Sequence, residues 1–164
     1  MDILLINIAD VRKLTDLSKN VLSSKYKQYI ISAQNIQLKE IIGKDCLNEL
    51  LTAKCAKTTT PLQDELLDLV KPFLINYSYA KYVYSSPLTS TEEGIVKMSG
   101  DNIIHLTDQE KKREQQFYIS NAEGYKDQII ELLKDNKEGF PCYHTTGKCS
   151  CCSNNKDGAL SIFN

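Results

Sequence analysis

Five side chains late in the sequence have the types and spacing that bear on chemistry. They are Cys142, His144, Cys149, Cys151 and Cys152, in the pattern C-x-H-x4-C-x-C-C. Thiolates and imidazole are good zinc ligands, and four such donors in one short stretch can converge on an ion. Structural zinc sites, however, are usually built from paired C-x2-C knuckles, which this stretch lacks. The adjacent Cys151 and Cys152 are also badly placed to share one tetrahedral ion. Two other readings stand beside zinc. One is oxidised pairing in a particle exposed to the outside, and the other is a tail of thiols without a defined site. The expectation is therefore no metal and no cofactor, with these five residues as the candidate ligands.

Elsewhere the sequence offers no constellation with a mechanism behind it. His105 lies in an apolar run with no carboxylate beside it, and Glu92-Glu93 reads as a solvated acidic pair. There is no glycine-rich phosphate loop and no G-x-S-x-G nucleophile turn. The basic run Lys111-Lys112-Arg113 is balanced by Asp108, Glu110 and Glu114, as on a solvated helix face. Cys46 falls among leucines and reads as a small core side chain. An enzyme is not expected.

Composition is that of an ordinary globular protein. The chain has 164 residues, 41% of them hydrophobic and 25% charged, which suits a globular domain with a real core. A formal net charge of −1 exerts no global pull on nucleic acid or an anionic membrane. No apolar run approaches the roughly 18–20 residues that cross a bilayer. The opening MDILLINIAD lacks the basic segment of a secretory signal, which predicts a protein made and kept in the cytosol, with its cysteines mostly reduced.

The elements that must position these residues are helical. The stretch Thr60–Tyr84 is the organising one. Thr60 and Gln63 form a capping box, with Pro61 at the first helical position. Apolar residues at Leu62, Leu66, Leu69, Phe73, Tyr77, Ala80 and Tyr84 draw one stripe, widened by Leu67, Val70, Leu74 and Val83. Four tyrosines, Tyr77, Tyr79, Tyr82 and Tyr84, suit a core edge or a subunit interface. Pro72 is expected to kink this helix near Asp68.

Asp2–Ile8 reads as an edge strand or an arm reaching a neighbour. A short helix follows, with Val11, Leu14 and Leu17 inward. Ser24 is the expected cap of a helix Lys25–Ile42, whose buried face is Tyr26, Tyr29, Ile30, Ala33, Ile36 or Gln37, and Ile41. Gly43 ends it in a left-handed conformation. Asp45–Ala53 is a further short helix, and Cys55 falls in a loop. Positions 85–106 carry Pro87, Gly94 and Gly100, which break a helix. Gly94–Met98 and Asn102–Leu106 are β-prone runs around a Ser-Gly-Asp turn, a hairpin signal. Thr107 and Glu110 form a second capping box. The helix they open is polar to Gln116, then apolar at Tyr118, Ala122, Tyr125, Ile129, Leu132 and Leu133. The fold class is thus mainly α: a bundle of four to five helices with an insertion at 85–106 and extended terminal arms. We read one helical domain over 1–135 and a Cys-rich tail over 136–164.

Segments Tyr29–Leu51, Thr60–Tyr84 and Gly94–Leu133 resemble the head–tail connector, or adaptor, family of tailed bacteriophages, in its crAss-like branch. The resemblance rests on Ile30, Ala33, Gln34, Ile42 and Gly43, then Gly94 and the Tyr125–Ile129 pattern. It implies a virion structural protein of about twelve copies, ringed between the portal and the tail. Its partners would be the portal protein, tail or other ring proteins, and its own copies. Genome DNA would pass through without sequence-specific binding, no membrane would be involved, and assembly would take place in the host cytoplasm. The runner-up is a small metal- or redox-sensing regulatory protein that uses the C-terminal Cys/His cluster.

Overall fold

A computed structural model of the chain describes residues 3–85, 96–99, 102–105 and 107–143. It is mainly helical, as the apolar periodicity requires. The helices are α1 (Ile8–Leu14), α2 (Ser23–Ser32), α3 (Lys39–Ile42), α4 (Lys44–Ala56), α5 (Pro61–Ser85) and α6 (Asp108–Asp135). A π-helical segment, Ala33–Leu38, joins α2 to α3. Strands β1 (Val96–Ser99) and β2 (Asn102–His105) pair antiparallel, with Val96 opposite His105 and Ser99 opposite Asn102. The expected hairpin therefore forms within the insertion.

α5 is the hub and packs on α6, α2, the π-helical segment and α1. Its capping box forms: the Gln63 amide donates to Thr60 Oγ1 at 3.2 Å, and Gln63 Oε1 accepts from the Thr60 amide at 3.1 Å. Leu66, Leu67, Val70, Phe73, Leu74, Ile75, Tyr79, Ala80 and Val83 are buried. The residues expected only to widen the stripe are thus its centre, because neighbours cover α5 on several sides. The helix runs through Pro72 to Ser85, and Asn76 Nδ2 donates to the Pro72 carbonyl at 2.8 Å.

α6 lies antiparallel along α5. The rings of Tyr79 and Tyr118 meet at 4.6 Å, and Leu62 closes on Gly139 at the other end. A Cβ at Gly139 would collide with Leu62 Cδ2, so any larger residue would push that side chain aside. The Thr107 capping box is present, with both reciprocal bonds made. From Tyr118 onward the expected face is buried at Tyr118, Ala122, Ile129 and Leu133.

Other expectations shift for physical reasons. α2 starts at Ser23 behind Leu22, whose side chain makes no capping bond, so Ser24 is not the cap. The buried face follows Tyr26 and Ile30 to Gln34, Leu38 and Ile42 rather than Ile36 and Ile41. Those steps of four fit the wider π-helical turn, whose i→i+5 bonding takes more than 3.6 residues per turn. Ile36 is consequently 55% exposed. α1 ends at Leu14, where Thr15 turns extended, so Leu14 faces outward and Leu17 reaches the core from the following link. α4 runs on to Ala56, so Cys55 is helical and exposed. Gly43 at the α3–α4 joint has φ +84, as expected of a glycine there.

Residues 136–143 pack against the body beyond the end of α6. Asn136 caps the helix, turns join Gly139 and Phe140 back to Asn136, and Phe140 is buried. The packed unit continues to Tyr143.

Candidate interaction surface

Two regions of the body concentrate polar and aromatic function, one near each end of α5. Their centres, Leu62 and Tyr79, are separated by about 25 Å at 1.5 Å per helical residue.

The first region is built on α4, which meets the N-terminal segment through Lys54, the start of α5 through Glu49 and Gln63, and the chain after α6 through Cys46. Gln34, 2% exposed, reads the backbone of the N-terminal segment with both ends of its amide. Its Oε1 accepts from the Leu5 amide at 2.8 Å, and its Nε2 donates to the Ile3 carbonyl at 3.0 Å. Lys54 Nζ donates to the Leu5 carbonyl. Burial, then the Lys71 charge, holds the Lys54 ammonium below the usual lysine range, while Asp10 opposes both. Leu5 and Ile6 are buried beneath these contacts. The segment expected to be a strand or a reaching arm is therefore seated on its own core. Asn7 ends it as a helix cap, with the Asn7–Asp10 capping box opening α1.

In the same region Cys46, buried at the start of α4, is disulfide-bonded to Cys142. This corrects one expectation: Cys46 is not a lone core thiol. Cys142 is not available as a metal ligand while the bond stands. His144, Cys149, Cys151 and Cys152 lie outside the described residues. Among the described residues no group of three His, Cys, Asp or Glu side chains is placed to share an ion.

The second region lies toward the C-terminal end of α5, where α2 crosses it and α6 runs alongside. Tyr26 meets Tyr29 at 5.8 Å and Tyr82 at 5.4 Å, Tyr29 meets Tyr82 edge-on at 5.7 Å, and Tyr79 meets Tyr118 edge-on at 4.6 Å. Phe117 continues the chain of rings at 5.2 Å from Tyr118. Such tilted and edge contacts suit the ring quadrupoles. The Tyr26 hydroxyl is satisfied by Ser78 Oγ at 3.2 Å. Burial pushes the Tyr26 phenol far above its ordinary range, against a small opposing effect of Ser78. Tyr79 is raised by burial, then by Tyr118, Glu114 and Asp16, and Tyr118 by burial, then Glu114 and Asp16. Asp16 of the α1–α2 link therefore stands close to this cluster. Arg12 ties that link down, donating to the Lys19 and Val21 carbonyls at 3.0 and 2.9 Å.

Besides Ile3 and Ile36, four large apolar side chains among the described residues face outward on the elements that carry or adjoin these rings: Leu14 at 61%, Leu22 and Phe117 at 59%, and Tyr84 at 55%. Each is tied to the cluster by position. Leu22 lies one helical turn before Tyr26, Tyr84 is two residues past Tyr82, Phe117 adjoins Tyr118, and Leu14 is two residues from Asp16. The four tyrosines of α5 divide accordingly. Tyr79 is buried, Tyr77 and Tyr82 are half-buried, and Tyr84 is open. The first turns of α6, Thr107–Glu110, are exposed throughout. Sequence reasoning missed Leu14, Leu22 and Phe117 as outward-facing residues. Only Phe117 left a signal, a single aromatic closing an otherwise polar run.

Among the described residues no helix is long and apolar enough to cross a membrane. The family of unknown function DUF6712 matches residues 38–153. No curated protein and no solved structure matches the chain.

Proposed function

The chain belongs to the DUF6712 family, whose function is unknown, and from its architecture we propose that it is a structural ring subunit of a tailed-phage virion. In this reading about twelve copies close a ring between the portal and the tail, as a heterologous interface that rotates to closure requires. The ring is a conduit for genome DNA and performs no chemistry.

The observation that carries the reading is the outward apolar set Leu14, Leu22, Tyr84 and Phe117 around the tyrosine cluster. Scattered single apolar side chains are normal on a monomer, but several on converging elements mark a contact surface. Tyr84 lies in the last turn of α5. A ring subunit needs at least two different complementary surfaces, and the open apolar side chains supply one of them. The net charge of −1 also suits a conduit that must let DNA slide. The resemblance in Ile30, Ala33, Gln34, Ile42 and Gly43 points the same way.

The test is reconstitution. Light scattering should find the free protein monomeric or weakly associated. Electron microscopy of a mixture with the portal protein should show rings seated on it. Failure to co-assemble across a range of salt concentrations would overturn the reading.

A further inference from the structure

We propose that Cys46 and Cys142 form a redox-operated clamp that decides whether residues 136–143 stay packed on the body. The inference stands independently of the ring reading. Four observations carry it. The bond joins positions 96 residues apart, so it closes α5, α6 and most of α4 into one loop. Its two sulfurs differ in access, with Cys46 buried and Cys142 only half-buried. The segment it pins, from Asn136 to Tyr143, is otherwise held by Phe140, by Gly139 against Leu62 and by a few turn bonds. Finally, Cys55, the other cysteine among the described residues, is free and exposed on the same helix. Among the described residues Cys142 is bonded to Cys46 and not to Cys55.

The asymmetry sets the order of the chemistry. The Cys142 thiolate, being the more accessible, attacks one sulfur of a low-molecular-weight disulfide such as glutathione disulfide. A mixed disulfide forms and one small thiol leaves. The Cys46 thiolate then attacks the Cys142 sulfur and releases the second small thiol. Two protein thiols lose two electrons and two protons, and one small disulfide becomes two thiols. Reduction by an excess of small thiol runs the same steps backward. A reducing compartment holds the clamp open and an oxidising one closes it. Closed, it fixes Cys142 and the segment Asn136–Tyr143 beside α4.

Lys137 is exposed in the pinned segment and offers a protease site that reads the clamp directly. The full-length protein is equilibrated with glutathione disulfide or with dithiothreitol, and tryptic cleavage after Lys137 is followed by mass spectrometry. The oxidised protein should carry the Cys46–Cys142 bond and be cut roughly tenfold more slowly than the reduced one, because cleavage follows the population of the open segment. Cys142→Ser should be cut at the fast rate in both buffers, whereas Cys55→Ser should behave as the unaltered protein. A preference of Cys142 for another cysteine would overturn the proposal. So would equal cleavage rates in the oxidised protein, the reduced protein and Cys142→Ser.

Discussion

At the scale of single residues, the most consequential side chain is Gln34. A buried amide is tolerated only when its donor and acceptor are both used, and here both are spent on the N-terminal backbone. Replacing it by Leu keeps the volume but strands the buried Leu5 amide and the Ile3 carbonyl. Gln34→Leu should lower stability by about 2 kcal/mol, measured as a shift in urea midpoint. It should also loosen residues 3–7, measured by amide exchange. An unchanged midpoint would mean that water replaces both bonds. The tyrosine cluster makes a second prediction. Burial, foremost, raises Tyr26, Tyr79 and Tyr118 above the ordinary phenol value. The folded state therefore keeps protons that the unfolded chain releases above about pH 10. Below that pH the two states hold the same phenolic protons and stability is flat on this account. Above it stability falls, and circular dichroism at 222 nm should show alkaline unfolding that weakens in Tyr26→Phe.

At the scale of elements, helix ends were the most legible features of the sequence. Thr60 with Gln63 and Thr107 with Glu110 both form reciprocal caps, because a cap depends on residues within one helical turn and on little else. Thr107→Ala should destabilise by about 1 kcal/mol, seen in the denaturation midpoint. Gly124 sits in the middle of α6, exposed, and a methyl group placed there would meet nothing within 4 Å. Gly124→Ala should raise stability by about 1 kcal/mol, the ordinary difference between the two residues in a helix interior. A loss of stability there would reveal a close contact that only glycine permits. The helix from Ser23 to Ile42 was less legible. Its inward residues after Ala33 depart from a 3.6 period because the π-helical turn inserts extra arc, and nothing in the composition of AQNIQL announces that turn.

At the scale of the whole molecule, α5 and α6 form a long antiparallel hairpin that keeps two contact regions about 25 Å apart, by helical rise. One region is closed by the N-terminal segment and the Cys46–Cys142 bond, and the other leaves apolar side chains open. That division separates stability from assembly. Phe117→Ser removes an exposed ring and should change the thermal midpoint little, within about 0.5 kcal/mol. On the ring reading it should nevertheless weaken co-assembly with the portal, scored by counting rings in micrographs. Loss of folding in this variant would place Phe117 in the core instead. Unimpaired rings would move the interface elsewhere.

The helical class, the hub role of α5, the two capping boxes, the left-handed Gly43 and the hairpin at 96–105 were all settled by local pattern. Each depends on residues near one another in the chain, where backbone sterics, capping and apolar period act alone. Which face of a helix meets solvent, and which cysteine meets which, were decided only by tertiary structure. Leu14 and Leu17 share one apolar spacing, yet only Leu17 is buried, because the helix stops between them. Cys46 and Cys142 are 96 residues apart, and only the return of the chain along α5 brings them together. Long-range proximity is a property of packing, and no short stretch of sequence contains it.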